Sequence, residues 1–424
     1  MNIRLILLNF LQFAIWGAYL TSMGAYLSSA GLGTDIGDYY AIQGIVSIFM
    51  PAIMGIVADR WVPAQRLLSF CHFMAALFLL LAAKTGLDAL NTSTAVNGTL
   101  LFTLYSVSVA FYMPTLALSN SVAYSALDKM GMDTVKAFPP IRVFGTVGFI
   151  CAMLFVDIAG YQNSPIQFMV SSILGFVLAV YALTLPSCPT KRNNASQSVM
   201  EAFGLKAFTL FKEKRMAFFF IFSFLLGVSL QITNGYANPY IQSFGNHPEY
   251  RDYFFVNHAN LLISLSQISE TLCILLIPFF LHRYGIKKVM LIAMLAWVGR
   301  FAFFGLGNPG NGVWLFILSC IVYGVAFDFF NVSGSLFVDK ETDLSMRSSA
   351  QGLFMLMTNG LGATVGSLAA KEVINHFVYA EGLTEIEITH GWQTSWLIFA
   401  AYALVVAISF AILFDYKHVR EEKE

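Results

Sequence analysis

The chain has 424 residues, 57% of them hydrophobic and 15% aromatic, with 11% charged. A soluble domain carries about 25% charged residues, so soluble enzymes, disordered scaffolds, secreted disulfide frameworks and nucleic-acid binders are excluded together. The 24 Lys and Arg balance 24 Asp and Glu, and no net charge draws the chain towards nucleic acid.

A spanning helix needs about 20 apolar residues. Twelve such segments follow in chain order: roughly 5–29, 38–58, 67–86, 99–126, 141–159, 165–185, 216–240, 257–281, 286–306, 312–337, 347–373 and 393–414. Arg4 ahead of the first run raises a signal peptide. The run continues to Tyr26 without a small-residue cleavage pattern, so it reads as span 1. The polar stretch Pro186 to Arg215, with Lys191-Arg192-Asn193-Asn194 inside it, separates six spans from six. The expected fold class is an all-α polytopic membrane protein. Its expected domains are a six-helix bundle over 1–186, a linker over 187–215 and a second bundle over 216–424.

Basic residues set the orientation. With both termini in the cytoplasm, the inside segments hold every Lys and Arg except Lys84, Arg251, Arg300 and Lys371. The linker is then cytoplasmic. The five cysteines, Cys71, Cys151, Cys188, Cys273 and Cys320, show no short metal-ligand spacing, and neither a disulfide nor a metal site is expected.

Span 4 and its exit carry Tyr112, Asn120 and Asp128-Lys129. Span 10 and its exit carry Tyr323, Asn331 and Asp339-Lys340 at identical spacing. Each pair is followed by an arginine at the start of the next span, Arg142 and Arg347. Such a match at the same place in each half points to duplication. A six-plus-six parallel repeat is the architecture of major facilitator transporters, whose site lies near the midplane between the halves. The loop Gly55-IVA-Asp59-Arg60-WVPAQ-Arg66 loosely resembles that superfamily's G-x-x-x-D-R loop, although ordinary positive-inside charge also explains it.

Polar groups inside spans are expensive and mark function by default. Span 5 holds Arg142, Thr146 and Phe149 on one helical stripe, behind Pro139-Pro140, which suit a first helical turn. Span 7 holds Gln231 and Asn234, and span 8 holds Gln267 and Glu270, each pair at i, i+3. Span 10 holds Tyr323 and Phe327 at i, i+4, with Asp328 beside them. Structural alternatives stand beside each. The amides can be interhelical glue and the carboxylates can bond neighbouring helices. Arg142 can snorkel, and the rings can be packing. Arg300 lacks polar company at helical spacing, and Lys371-Glu372 lie near the edge of span 11. These three read as packing or snorkelling. Asp339, Lys340 and Arg347 flank a cytoplasmic loop and read as a gate or latch. Amides, a hydroxyl and carboxylates can bond a polyhydroxylated ligand, and the three rings can stack on a flat one.

The stretches LQFAIWGAYL, FMPAIMGIVADRW, FPPIRVFGTVGF, LSQISETLCILLIPFFLHRYGIKKVM and YGVAFDFFNVSGSLFVDKE resemble the bacterial nucleoside:proton symporter family of the major facilitator superfamily, over nearly the whole chain. The loops 86–98 and 374–392 carry no match. The resemblance implies a nucleoside substrate, the proton as coupling ion and a site between the halves. No cofactor is expected, a monomer in the bacterial inner membrane is expected, and the lack of H-E-x-x-H and G-x-S-x-G motifs argues against an enzyme. The resemblance also implies ligand contacts from Arg142, Thr146, Phe149, Gln231, Asn234, Gln267, Glu270, Tyr323 and Phe327, and proton coupling through Glu270 and Asp328. In the expected mechanism a proton on either carboxyl removes a buried charge and lets the loaded carrier reorient, and Arg142 holds the unprotonated carboxylate. A sugar or drug carrier of the same superfamily and a non-transporting membrane receptor remain the competing readings.

Overall fold

The computed structural model describes residues 2–188, 205–343 and 346–416. The Lys191–Asn194 cluster and the C-terminal residues from Lys417 lie outside them, as do the side chains of Asp59 and Arg60. All twelve expected spans are helical. Nine stretches are long and apolar enough to cross a membrane, counted among the described residues. One of them, Ala259–Leu306, holds spans 8 and 9. Two shorter apolar helices, Ile3–Gly17 and Ile166–Ala182, supply spans 1 and 6.

Gly285 separates spans 8 and 9. Its φ of 76° and ψ of 168° lie outside helical space, in a region where a side chain would clash and glycine does not. Elsewhere the turns are cut by ordinary signals. Asn97 caps span 4 by accepting from the Leu100 amide at 3.1 Å. Thr384 and Glu387 form a reciprocal capping box at the start of span 12.

Three elements depart from the sequence reading. Span 5 begins at Thr134, so Pro139 and Pro140 sit inside the helix and not in its first turn. Prolines are tolerated in spanning helices because neighbouring groups satisfy the freed carbonyls. Span 1 is two helices, Asn2–Gly17 and Met23–Ser29. Span 7 is also two, Lys214–Gly227 and Ile232–Ser243.

The chain divides into two compact units. The first takes Met1–Ser198 together with Asn234–Pro239, and the second takes Val199–Thr233 and Tyr240–Glu424. Inside the first unit, span 1 packs on spans 5 and 6, span 2 on span 4, and span 3 on spans 4 and 6. Inside the second, span 7 packs on span 11, and the helices of spans 8 and 9 pack on spans 10 and 12. The duplicated sequence thus builds similar helix partnerships twice. Serine hydroxyls knit the first unit by donating to carbonyls of neighbouring helices, as Ser171 does to Ile15 and Ser172 to Ala76, both at 2.6 Å. Such bonds suit a hydrocarbon setting, where small polar residues hold helices together.

Candidate functional site

In the first unit the site residues gather on span 5 beside the break of span 1. Gly17 ends the first half of span 1, and a methyl group there would collide with the Phe149 backbone. That close approach brings the stripe of Arg142, Thr146 and Phe149 against the break. Phe149 is buried, and Arg142 and Thr146 are half-buried. The Arg142 guanidinium sits 3.8 Å from the centroid of the Phe13 ring, also on span 1. Arg142 and Arg347 are therefore not equivalent, contrary to the repeat reading. Arg347 opens its helix and pairs with Asp339 at 2.8 Å. Arg142 lies two turns inside its own helix.

Below the break, Gln12 organises span 1. His72 Nε2 donates to Gln12 Oε1 at 2.8 Å, and Gln12 Nε2 donates to Thr115 Oγ1 at 2.8 Å. The Tyr112 hydroxyl donates to the Gln12 carbonyl at 2.7 Å. Asn234 belongs to this unit through the segment it shares with Asn238. Asn238 Nδ2 donates to Gln162 Oε1 at 2.9 Å.

The second unit repeats the arrangement at the break of span 7. A methyl group on Gly227 would collide with the Thr358 backbone on span 11. Residues Leu356–Gly362 there form a π-helix, a local widening often found at functional sites. Gln231 closes the break, just before the helix Ile232–Ser243, and is half-buried.

Span 10 supplies the rings and a carboxyl. Tyr323 and Phe327 are stacked, with centroids 5.6 Å apart and planes at 18°. Trp297 meets Tyr323 edge-on at 6.0 Å. Asp328 is buried, and its Oδ2 has no hydrogen-bond partner among the described residues. Glu270 on span 8 lies within electrostatic range of both Asp328 and Tyr323. Spans 8 and 10 are joined there by the Ser269 hydroxyl, which donates to the Ile321 carbonyl. Gln267 stands one turn earlier on span 8 and is half-buried. The structure thus groups Glu270, Tyr323, Phe327 and Asp328, with Gln267 on the same helix as Glu270.

One residue is read wrongly from the sequence. Arg300 neither snorkels nor simply packs. It is 2% exposed and bonded to Ser266 and Ser319 on the flanking spans, with its guanidinium 4.3 Å from the Tyr323 ring centroid. Its polar company is on other helices, which spacing within span 9 does not reveal. The π-helix of span 11 likewise has no signal in an apolar run.

A family model described as Nucleoside H+ symporter matches residues 1–419. The chain is 46% identical over 423 residues to nucleoside permease NupG of Escherichia coli (strain K12), covering 99% of this chain and 97% of that protein. Xanthosine permease of the same organism is 46% identical over 422 residues, with the same coverage. A crystal structure of nucleoside transporter NupG matches with a TM-score of 0.88 at 45% identity, covering 98% of this chain and 99% of that one.

Proposed function

The chain belongs to the nucleoside H+ symporter family, and from that premise we propose that it imports nucleosides across a bacterial cytoplasmic membrane by proton symport. The observation that carries the reading is the stacked Tyr323–Phe327 pair beside the buried Asp328 carboxyl, in a chain whose full-length relatives are permeases. Stacked aromatic rings accept a flat base of any identity, and a polar residue inside a span marks a substrate or proton path.

Each assigned residue takes a role by its chemistry. Phe149, Tyr323 and Phe327 stack on the base. Arg142, Thr146, Gln231, Asn234 and Gln267 bond its polar edge and the ribose hydroxyls. Glu270 contacts the ligand and, with Asp328, carries the proton. A proton on either carboxyl removes a charge that is costly inside the membrane, and this lets the loaded carrier reorient. Transporters built from repeats alternate access by moving one repeat against another around a fixed site. The carrier works as a monomer without a cofactor, with both termini and the linker in the cytoplasm. Its two bundles span 1–186 and 216–424, joined by the linker 187–215.

The test is uptake of radiolabelled uridine into proteoliposomes, with and without an inward proton gradient. Uptake above equilibrium that a protonophore collapses is the expected result. Competition by unlabelled xanthosine then defines the range of bases. Equilibrating uptake indifferent to the gradient would remove the coupling. Vesicles that are intact yet carry no nucleoside would sink the substrate assignment.

A further inference from the structure

Arg300 lies inside a spanning helix and is 2% exposed. A permanent cation there is costly unless its neighbours compensate it. Its Nη1 donates to Ser266 Oγ at 3.2 Å on span 8 and to the Ser319 carbonyl at 2.9 Å on span 10. Ser319 Oγ donates back to the Arg300 carbonyl at 2.8 Å. Two ring faces also lie close. The guanidinium carbon is 4.3 Å from the Tyr323 centroid and 5.6 Å from that of Phe304. Arg300 Nε has no hydrogen-bond partner among the described residues. The cation is therefore fixed in place by two spans and held close to one ring.

That ring is one of the three assigned to the ligand. Tyr323 stacks on Phe327, and Trp297 bounds it edge-on. We propose that Arg300 is a positioning residue for substrate recognition: it holds the Tyr323 ring, through a cation–π contact, in the orientation in which Tyr323 and Phe327 receive the flat heterocycle of the nucleoside. The proposal rests on the nucleoside reading given above. It assigns Arg300 no contact with the ligand. An arginine suits the task better than a lysine because its planar guanidinium lies on a ring while its fork bonds two neighbours.

The experiment compares Arg300→Lys and Arg300→Gln, each alone and combined with Tyr323→Leu. The lysine variant keeps the charge and guards against a simple failure to fold. The KM for uridine is expected to rise about tenfold in either Arg300 variant with Vmax unchanged, in keeping with the size of a desolvated cation–π contact. In the Tyr323→Leu background the same change is expected to add less than about twofold, because coupled residues are not additive. Unchanged KM in the single variants, or effects that multiply in the double variant, would overturn the proposal.

A second readout needs no transport. Near-ultraviolet circular dichroism of the ligand-free protein sums over six Trp and 18 Tyr, so the Trp297–Tyr323 pair is read as the difference between parent and Trp297→Phe spectra, and that difference is expected to change in the Arg300→Lys background. A difference unchanged by Arg300→Lys overturns the positioning role whatever the uptake shows. A changed difference in a protein that carries no nucleoside sinks the transport reading and with it the recognition role, and leaves only the Arg300–Tyr323 contact.

Discussion

Tyr112 and Tyr323 occupy matching places in spans 4 and 10, yet their surroundings differ in kind. Tyr112 donates its hydroxyl to the Gln12 carbonyl and packs against Trp16 at 6.0 Å and His72 at 6.1 Å. Its neighbours Gln12, Thr115 and His72 bond one another. Tyr323 instead carries a guanidinium on its face, stacks on Phe327, and has two carboxylates within electrostatic range. Duplication explains the shared positions and not the shared chemistry. Around Tyr112 the side chains of Thr115 and His72 are tied together through Gln12, which rigidifies a bundle, although His72 Nδ1 and Trp16 Nε1 have no hydrogen-bond partner among the described residues. Around Tyr323 an Asp328 oxygen and the Arg300 Nε are left without hydrogen-bond partners. Orphaned atoms occur in both surroundings, and what differs is charge: beside Tyr323 they belong to a carboxyl and a guanidinium, and such groups inside a span mark function by default. On the proposed function, the first surroundings serve as scaffold and the second as working site.

The largest expected effect breaks this comparison at the working site. Asp328→Asn keeps the side chain's volume and removes its proton exchange. One proton moving down about 100 mV supplies about 2.3 kcal/mol, which corresponds to roughly 50-fold accumulation. Asp328→Asn is expected to lose that accumulation and retain exchange of labelled for unlabelled uridine, both measured in the same proteoliposomes. Glu270→Gln tests the second carboxyl in the same way. Normal uphill uptake by both amide variants would show that neither carboxyl couples the proton.

The scaffold should respond in the opposite sense. His72→Leu leaves Gln12 Oε1 without its donor in a fully buried place. Stranding a buried polar group costs about 1–3 kcal/mol. The midpoint of thermal unfolding in detergent is expected to fall, while the KM for uridine at a permissive temperature stays near that of the parent. A large rise in KM with no loss of stability would mean that the Tyr112 surroundings take part in recognition too.

Much of this division is legible from residues alone. Span lengths need no tertiary information, and Tyr, Asn and Asp-Lys recur at a spacing that can be counted. Polar residues stand out in apolar runs, so Glu270, Gln267, Gln231 and Asp328 are visible as candidates. The breaks at 18–22 and 228–231 are not visible, because neither holds a proline and their polar residues, Thr21, Ser22, Ser229 and Gln231, are types that a spanning helix also carries. They depend on Gly17 and Gly227 meeting the backbones of Phe149 and Thr358, far away in sequence. Arg300 is conspicuous, yet its meaning lies in Ser266, Ser319 and Tyr323, which belong to spans 8 and 10. Periodicity within one helix does not show partners on another.

The smallest expected effect lies at the end of the repeat, outside both tyrosine surroundings. Asp339 pairs with Arg347 at 2.8 Å, and the two side chains are 44% and 39% exposed. Asp128, its counterpart in the first half, is exposed, and no ion pair is found for it among the described residues. Exposed pairs contribute about 0–1 kcal/mol. If the Asp339–Arg347 pair is only surface charge, Asp339→Asn leaves thermal stability and uridine uptake nearly unchanged. If it is a latch that favours one conformation, a contribution of that size shifts a two-state balance by up to about fivefold. Initial uptake rates would then change while stability does not, and Arg347→Gln would reproduce the change. Equal responses of Asp128→Asn and Asp339→Asn would mean that the two halves share this function after all, and that the asymmetry is confined to the tyrosines.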